Sequence, residues 1–464
     1  MKTKTAYTIL VAWVISVIPL TWLGYGSDGD AWRIANTAKA ISVTGQYVRS
    51  RTTGFPLFEL SVTPLVNLGQ WYLSNLLPFV FGIIILMALI RLVRKGEIHH
   101  PKITVFSLMF LPVVVKNATS TMDYIPALAL LIWAYVSLLE RKWVLAGLFI
   151  GIACGFRPTS GLFVIPVAIL SYLETRKPIQ AIQILLIAFI SGVISYSPAL
   201  LKYGMPNPYP GIQLDQQITI LITGYNALRL FGIVQTLALG VCFSIIVRQV
   251  LVRKNVTPFF IFHFSNILVW ISLFLLLPEE PEYLMPIIPS VIFILDRYLS
   301  KRVFVFISVL LLSYHTFQVD ALGGQSGDRY IKVAFRAGLT VQDIQDRIFK
   351  LSIREAADQY VTSTKTILMY GYPEIPAAND RWVIRNIKND MYCQRDGNLC
   401  ISSRILDENR LEILHSEGFR LIVWRGEMWE YYRTGTSLPN YIEVIEDLSV
   451  FFGTPISGKA LNQQ

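Results

Sequence analysis

Tyr25-Gly-Ser-Asp28-Gly-Asp30-Ala-Trp32-Arg33 follows the first apolar run of the chain, Met1 to Leu23, and opens a polar stretch that reaches about Val66. Two carboxylates two residues apart stand where an apolar helix should meet water. How the run before them is read decides the fold. Lys2 and Lys4 ahead of an apolar segment fit a secretory signal, but no small-x-small cleavage site follows, and Trp22 stands where small residues are needed. The run is therefore read as an uncleaved first membrane span. It keeps the N-terminus cytoplasmic and delivers Asp28 and Asp30 to the opposite side.

The rest of the composition agrees. Of 464 residues, 53% are hydrophobic and 16% charged, with a mean hydropathy of +0.49. Crossing a hydrocarbon layer takes roughly 20 residues of helix, and the chain offers about eleven apolar runs, some of them shorter than that. The net charge of +10 sits in short basic flanks such as Arg91, Arg94, Lys95 and Arg141-Lys142, beside apolar runs. Positive-inside anchoring accounts for those flanks, so nucleic acid is not expected as a partner. Alternating the runs between basic inner flanks and polar outer turns gives one self-consistent topology. The expectation is a polytopic α-helical membrane protein: about eleven transmembrane helices over 1–318, a first outer loop at 25–68, and a small extracytoplasmic α/β domain at 319–464.

In the tail, apolar residues at Val341, Ile344 and Ile348 predict a helix from Thr340 to about Tyr360. Strands are expected at Thr366–Tyr370, Trp382–Ile384 and Phe419–Trp424, with a helix from Asp407 that Gly418 stops. Cys154 and Cys242 lie within or beside apolar segments and read as packing residues. Cys393 and Cys400 share a polar stretch on the expected outer side, where they are predicted to pair.

Every expected inner loop is too short for a nucleotide-binding βαβ domain, and no Walker loop or strand-placed Gly-rich fingerprint occurs. Chemistry on the outer face then calls for a lipid-borne donor. Asp28 and Asp30 are candidates for a general base, or for holding a divalent cation that activates a hydroxyl. The same residues suit the start of a helix, Ala31 to Thr44, with Gly45 as its stop, and the two readings stand level. Arg49, Arg51, Lys116 and Arg157 fall on the outer face against the positive-inside bias. A lipid phosphate accounts for them as a set, because arginine forks phosphate oxygens. The alternatives are anionic headgroups in general, or ion pairs with Glu59 and Asp123. Asp123, at the start of a span, reads as an N-cap or as a cavity-facing carboxylate. Glu279, Glu280, Glu282 and Tyr283 line the mouth of a late span, where a solvated rim is the plain reading. Trp424, Trp429, Tyr431 and Tyr432 suit sugar stacking or core packing, and the histidines show no ligand spacing.

At these residues the chain resembles the GT-C superfamily of polytopic glycosyltransferases, closest in architecture to its protein-mannosyltransferase and aminoarabinose-transferase branch. The resemblance is carried by Asp28-Gly-Asp30 in the first outer loop, Gly45-Gln-Tyr47 and Ser50-Arg51…Gly54-Phe-Pro56 after it, Asp123 in the second outer turn, Gly151 to Pro158, and Glu282-Tyr283-Leu-Met-Pro286. It implies a polyprenyl-phosphate sugar as donor and a protein, lipid or glycan as acceptor. It also implies a first-loop acid at or beside the base, which carries onto Asp28 or Asp30 with Asp30 preferred. Arg51 and Arg157 would hold the lipid phosphate. Two features depart from the pattern: relatives often have Arg or His where this chain has Glu282, and adjacent acids where it has Asp-Gly-Asp. A transporter or lipid-linked-glycan flippase, and a polymerase or ligase, are the competing readings.

Overall fold

A computed structural model describes residues 3–205, 224–254, 256–278, 280–323, 331–370, 382–386, 391–402, 408–424, 438–454 and 456. The apolar runs fold as helices, and proline marks where many begin. Helices α1 (Thr3–Val17), α2 (Gly29–Thr44), α3 (Pro56–Ser74), α4 (Leu76–Arg94), α5 (Pro101–Met109), α6 (Pro112–Ala118) and α7 (Tyr124–Leu139) make up the first part. They are followed by α8 (Trp143–Phe156), α9 (Val164–Thr175), α10 (Pro178–Tyr203), α11 (Ile233–Val252), α12 (Pro258–Leu276), α13 (Ile287–Tyr298) and α14 (Lys301–Ser313). Pro56, Pro101, Pro112, Pro178 and Pro258 occupy first-turn positions. A first-turn N–H has no partner within the helix, so proline loses nothing there.

Five segments are long and apolar enough to cross a membrane: Leu76–Arg94, Pro158–Thr175, Pro178–Tyr203, Ile233–Val252 and Pro258–Leu276. The pair α5 and α6, bent by 55° at their junction, makes a sixth if read as one broken span, and Ala6–Trp22, Tyr124–Leu139 and Trp143–Phe156 are shorter apolar helices. This is a helical membrane protein. The late runs expected as spans fold as α13 and α14, which are 12 and 13 residues long. Within the stretch read as a first outer loop, α2 ends at Gly45, whose φ of 65° suits glycine, and α3 occupies the second half. Phe58, Val62 and Val66 recur one helical turn apart on α3 and are all buried.

In the helical unit α7 is apolar all round and buried almost throughout, the mark of a helix enclosed by others. Helices α8 and α10 meet through glycines spaced four apart. A Cβ at Gly147 would lie 2.8 Å from the Ile184 carbonyl, and one at Gly151 would lie 2.7 Å from the Ala188 carbonyl. Small residues let backbones approach where apolar surroundings give helices no hydrophobic reason to associate. The outward face of α10 leaves Leu186, Phe189 and Ile194 exposed, as a surface against hydrocarbon requires.

The chain divides into two units, one of Met1–Trp22, Thr37–Asp320 and Ala334–Val341, the other of Leu23–Asn36, Ala321–Val333 and Gln342–Gln464. The segment bearing Asp28 and Asp30 thus groups with the C-terminal residues. Strands β1 (Phe317–Gly323) and β2 (Ile331–Ala337) form a two-stranded sheet and lead to helix α15 (Leu339–Gln359). Six strands build the second sheet: β3 (Thr366–Met369), β4 (Trp382–Asn386), β5 (Met391–Gln394), β6 (Leu399–Ser402), β7 (Arg420–Trp424) and β8 (Ile442–Ile445), in the order β4-β5-β6-β3-β7-β8. Strand β3 runs parallel to both β6 and β7, while the β4-β5-β6 edge is antiparallel. Helices α16 (Glu408–Ser416) and α17 (Leu448–Phe452) complete it. Its core is Ile367, Met369, Leu411, Leu421 and Val423 with the two cysteines. Cys393 and Cys400 face each other across β5 and β6 and form a disulfide of 2.02 Å.

Candidate functional site

In the helical unit, the site is built on four connections: the loop from Gly45 to Phe55, the turn before α7, the residue between α8 and the 3-10 turn Pro158–Phe163, and the 3-10 turn Pro281–Leu284. Glu59, on the first turn of α3, folds the first of these. Its fully buried carboxylate accepts from the Tyr47 hydroxyl at 2.5 Å, the Ser50 hydroxyl at 2.5 Å, the Ser50 amide at 2.6 Å and the Phe55 amide at 2.9 Å. Gly54 closes the turn with φ +75°, and a Cβ there would meet the Tyr47 hydroxyl at 2.5 Å. Glu59 is therefore spent on backbone and hydroxyl donors.

The loop so folded presents two arginines to different partners. Arg49 lies over the Tyr203 ring at 4.4 Å. Arg51 places Nη2 2.5 Å from Asp123 Oδ1, with its guanidinium over the Phe55 ring at 3.8 Å. Arg157 takes the other oxygen: its Nη1 is 2.7 Å from Asp123 Oδ2. Its guanidinium stands 4.0 Å from the Tyr124 ring centre and 4.7 Å from that of Tyr283. Asp123 is fully buried at the start of α7, and its side chain makes no capping hydrogen bond there. The N-cap reading gives way to a carboxylate forked between two arginines. Burial alone would raise the Asp123 carboxyl, but the Arg51 and Arg157 charges outweigh it and hold the group below its ordinary 3.8.

Beside this triad, Lys116 Nζ lies 2.7 Å from Glu282 Oε1. Burial likewise pushes Glu282 up, and Lys116 more than offsets it, so that carboxyl also sits below its ordinary 4.5. The Tyr124 hydroxyl donates to the Glu280 carboxylate. Asp123, Arg51, Arg157, Lys116, Glu282 and Tyr283, read from sequence as separate hints, are brought into one neighbourhood. Sequence reasoning missed Phe55 and Tyr124 as the rings on which the arginines rest. Tyr124 directly follows Asp123, which was the available signal, whereas Phe55 stands between Gly54 and Pro56, four residues after Arg51.

Asp28 and Asp30 belong to the other unit. Asp28 Oδ1 accepts the Asp30 amide at 2.9 Å and so caps α2, while Asp30 Oδ1 pairs with Arg33 at 3.2 Å. The cap falls on Asp28, because Ser27 turns its hydroxyl to Asp343 on α15, 2.5 Å away. Trp32 Nε1 donates to the Gly26 carbonyl at 2.9 Å, and the Tyr25 ring meets Trp32 edge-on. Among the described residues, no group of three or more His, Cys, Asp and Glu is placed to hold a metal ion. Glu279, Trp429, Tyr431 and Tyr432 lie outside the described residues. Comparison with family models, with curated proteins and with solved structures gives no match.

Proposed function

We propose that this protein is a membrane glycosyltransferase that moves a sugar from a polyprenyl-phosphate donor to a protein, lipid or glycan acceptor on the extracytoplasmic face. One observation carries the reading: a buried carboxylate, Asp123, shared by two arginines that rest on aromatic rings. Two guanidiniums to one carboxylate give the Asp123 triad itself one positive charge among aromatic rings, with the Lys116–Glu282 pair and the Glu280 carboxylate beside it, and a departing lipid phosphate is the ligand we assign to those guanidiniums. In the transfer, a bond forms between the acceptor oxygen and the anomeric carbon as the bond from that carbon to the phosphate oxygen breaks. The electron pair leaves with the phosphate, whose charge Arg51 and Arg157 neutralise, and the acceptor proton passes to a general base. Asp30 is assigned this role from the resemblance to GT-C enzymes, with Asp28 as cap and helper. Sidedness rests on the basic flanks, and about eleven spans remain the proposed count.

A second reading, a transporter or lipid-linked-glycan flippase, has its own support. The 55° bend between α5 and α6 is the broken-helix geometry on which transporters place ion sites, and Lys116 lies in the second half of the pair. The two part on one experiment. Purified protein is incubated with a panel of polyprenyl-phosphate sugars and release of free lipid phosphate is followed. Release that Asp30→Asn abolishes in a folded protein is the expected result, because the cap of α2 is carried by Asp28 and is kept, whereas Asn at position 30 accepts no proton. No release from any donor overturns the transferase reading in favour of transport.

A further inference from the structure

Helix α15 has a charged inner face. Asp343, Arg347, Lys350 and Arg354, at helical spacing, are all buried, whereas Ile348 is exposed. A helix that buries charge and leaves an isoleucine outside has partners that satisfy the charge, since an uncompensated buried ion is costly. Within this unit those partners include the segment just before the acidic pair. Lys350 Nζ donates to the Ser27 carbonyl, and the Ser27 hydroxyl donates to Asp343 Oδ1 at 2.5 Å. Arg347 pairs with Asp343 at 2.9 Å, which fixes the acceptor. Ser27 is thus held at both its carbonyl and its hydroxyl by two residues of one helix, one position before Asp28.

The neighbours of Ser27 lock the same segment. A Cβ at Gly24 (φ +75°) would meet Leu351 Cγ at 3.2 Å and Trp32 Cζ2 at 3.2 Å. Tyr25 is fully buried, and its hydroxyl is pushed above its ordinary 10.0 by burial, against the pull of Arg354. From Gly24 to Asp30 the chain therefore follows the side chains of α15 and its own Trp32. The direction in which the Asp28 and Asp30 carboxylates leave the backbone is set by that path.

We propose that α15 is the anchor of the acidic segment and that Lys350 is a positioning residue for the Asp28 and Asp30 carboxylates, acting through the Ser27 carbonyl. The role of those carboxylates in transfer rests on the proposed function; the anchoring does not. Lys350 holds the segment by a hydrogen bond that either a lysine or an arginine supplies and that methionine, of similar length, does not.

The test compares the full-length protein with Lys350→Met and Lys350→Arg by amide hydrogen exchange and by the kcat and KM of lipid-phosphate release. In Lys350→Met, exchange is expected to rise within residues 23–36 and to stay unchanged in the β3, β6 and β7 strands. Turnover falls on the order of 100-fold, the size of loss a misplaced reacting group produces, and it falls in kcat with the KM for the donor unchanged. Lys350→Arg restores both. Unchanged exchange in 23–36, or exchange raised through the whole sheet, overturns the anchor. A lowered rate that Lys350→Arg does not restore assigns Lys350 to the fold alone and overturns its positioning role. If the unaltered protein releases no lipid phosphate while exchange in 23–36 still responds, the transferase reading falls and the anchor stands.

Discussion

Arg157 Nη1 lies 2.7 Å from Asp123 Oδ2, with the arginine and the aspartate both buried. Removing one member of such a pair leaves the other's charge stranded, so the cost exceeds the worth of the contact. Asp123 has two partners to strand. Asp123→Ala is expected to destabilise the helical unit by about 3–5 kcal/mol, read as a lowered midpoint of thermal unfolding in detergent. Arg157→Met should cost less, because Arg51 still neutralises Asp123. Equal losses for the two variants would mean that Arg51 does not share the carboxylate.

Acid should loosen the same triad. Asp123 has its pKa depressed in the folded protein, against the pull of burial, by Arg51 and Arg157. A depressed carboxylate contributes stability that is fully present above the unfolded-state value, near 3.8 for this group, and that is lost as pH falls through the folded value. Unfolding midpoints measured downward from pH 5 should therefore drop in the unaltered protein. Asp123→Asn should drop less steeply over the same window, from a lower starting point. Parallel curves would remove Asp123 from the acid response.

Glu59→Gln tests the loop that delivers Arg49 and Arg51. Glutamate offers two acceptor oxygens to four donors; glutamine keeps one oxygen and turns an NH2 group toward the others. The Tyr47 hydroxyl has the freedom to rotate and accept, whereas the Phe55 amide has not. One buried amide left without an acceptor costs about 1–3 kcal/mol. The expected signs are that loss in stability and new proteolytic sensitivity between Tyr47 and Phe55. Wild-type resistance in that loop would show that the hydroxyls, not the carboxylate, hold it.

How far the sequence is legible depends on the distance over which each feature is decided. Helix α2 and its stop at Gly45, α15, and the strands at Thr366 and Arg420 depend on local spacing and punctuation, and the structure has them within a few residues of expectation. The helix α15 is predicted from Val341, Ile344 and Ile348, yet Ile348 is exposed, and Asp343, Arg347, Lys350 and Arg354, with the same helical period, are buried along with Ile353, Ala356 and Ala357. Period identifies a helix but not the face that turns inward. Here that face meets Ser27, 316 residues away in the sequence. The triad has the same character. Charge rules flagged Arg51, Asp123 and Arg157 one by one, but their pairing joins positions 72 and 34 residues apart and belongs to tertiary packing.

The α8–α10 seam gives the sharpest test of packing. Gly151 has no room for a side chain: a Cβ there would meet the Ser191 hydroxyl, the Ala188 carbonyl at 2.7 Å and the Gly192 amide at 2.7 Å. Two of these are backbone atoms, which move only if the helices part. Gly192, across the same seam, has its nearest neighbours at 3.8 Å, an ordinary contact distance. Gly192→Ala should therefore be tolerated, whereas Gly151→Ala forces separation, with an overpacking cost of about 1–3 kcal/mol. Because Arg157 follows directly on α8, a shifted α8 also draws its guanidinium from Asp123. Gly151→Ala is then expected to weaken the acid response described for Asp123 as well as to lower the unfolding midpoint. A lowered midpoint with an unchanged acid response would confine the damage to the seam and show that the triad tolerates movement of α8.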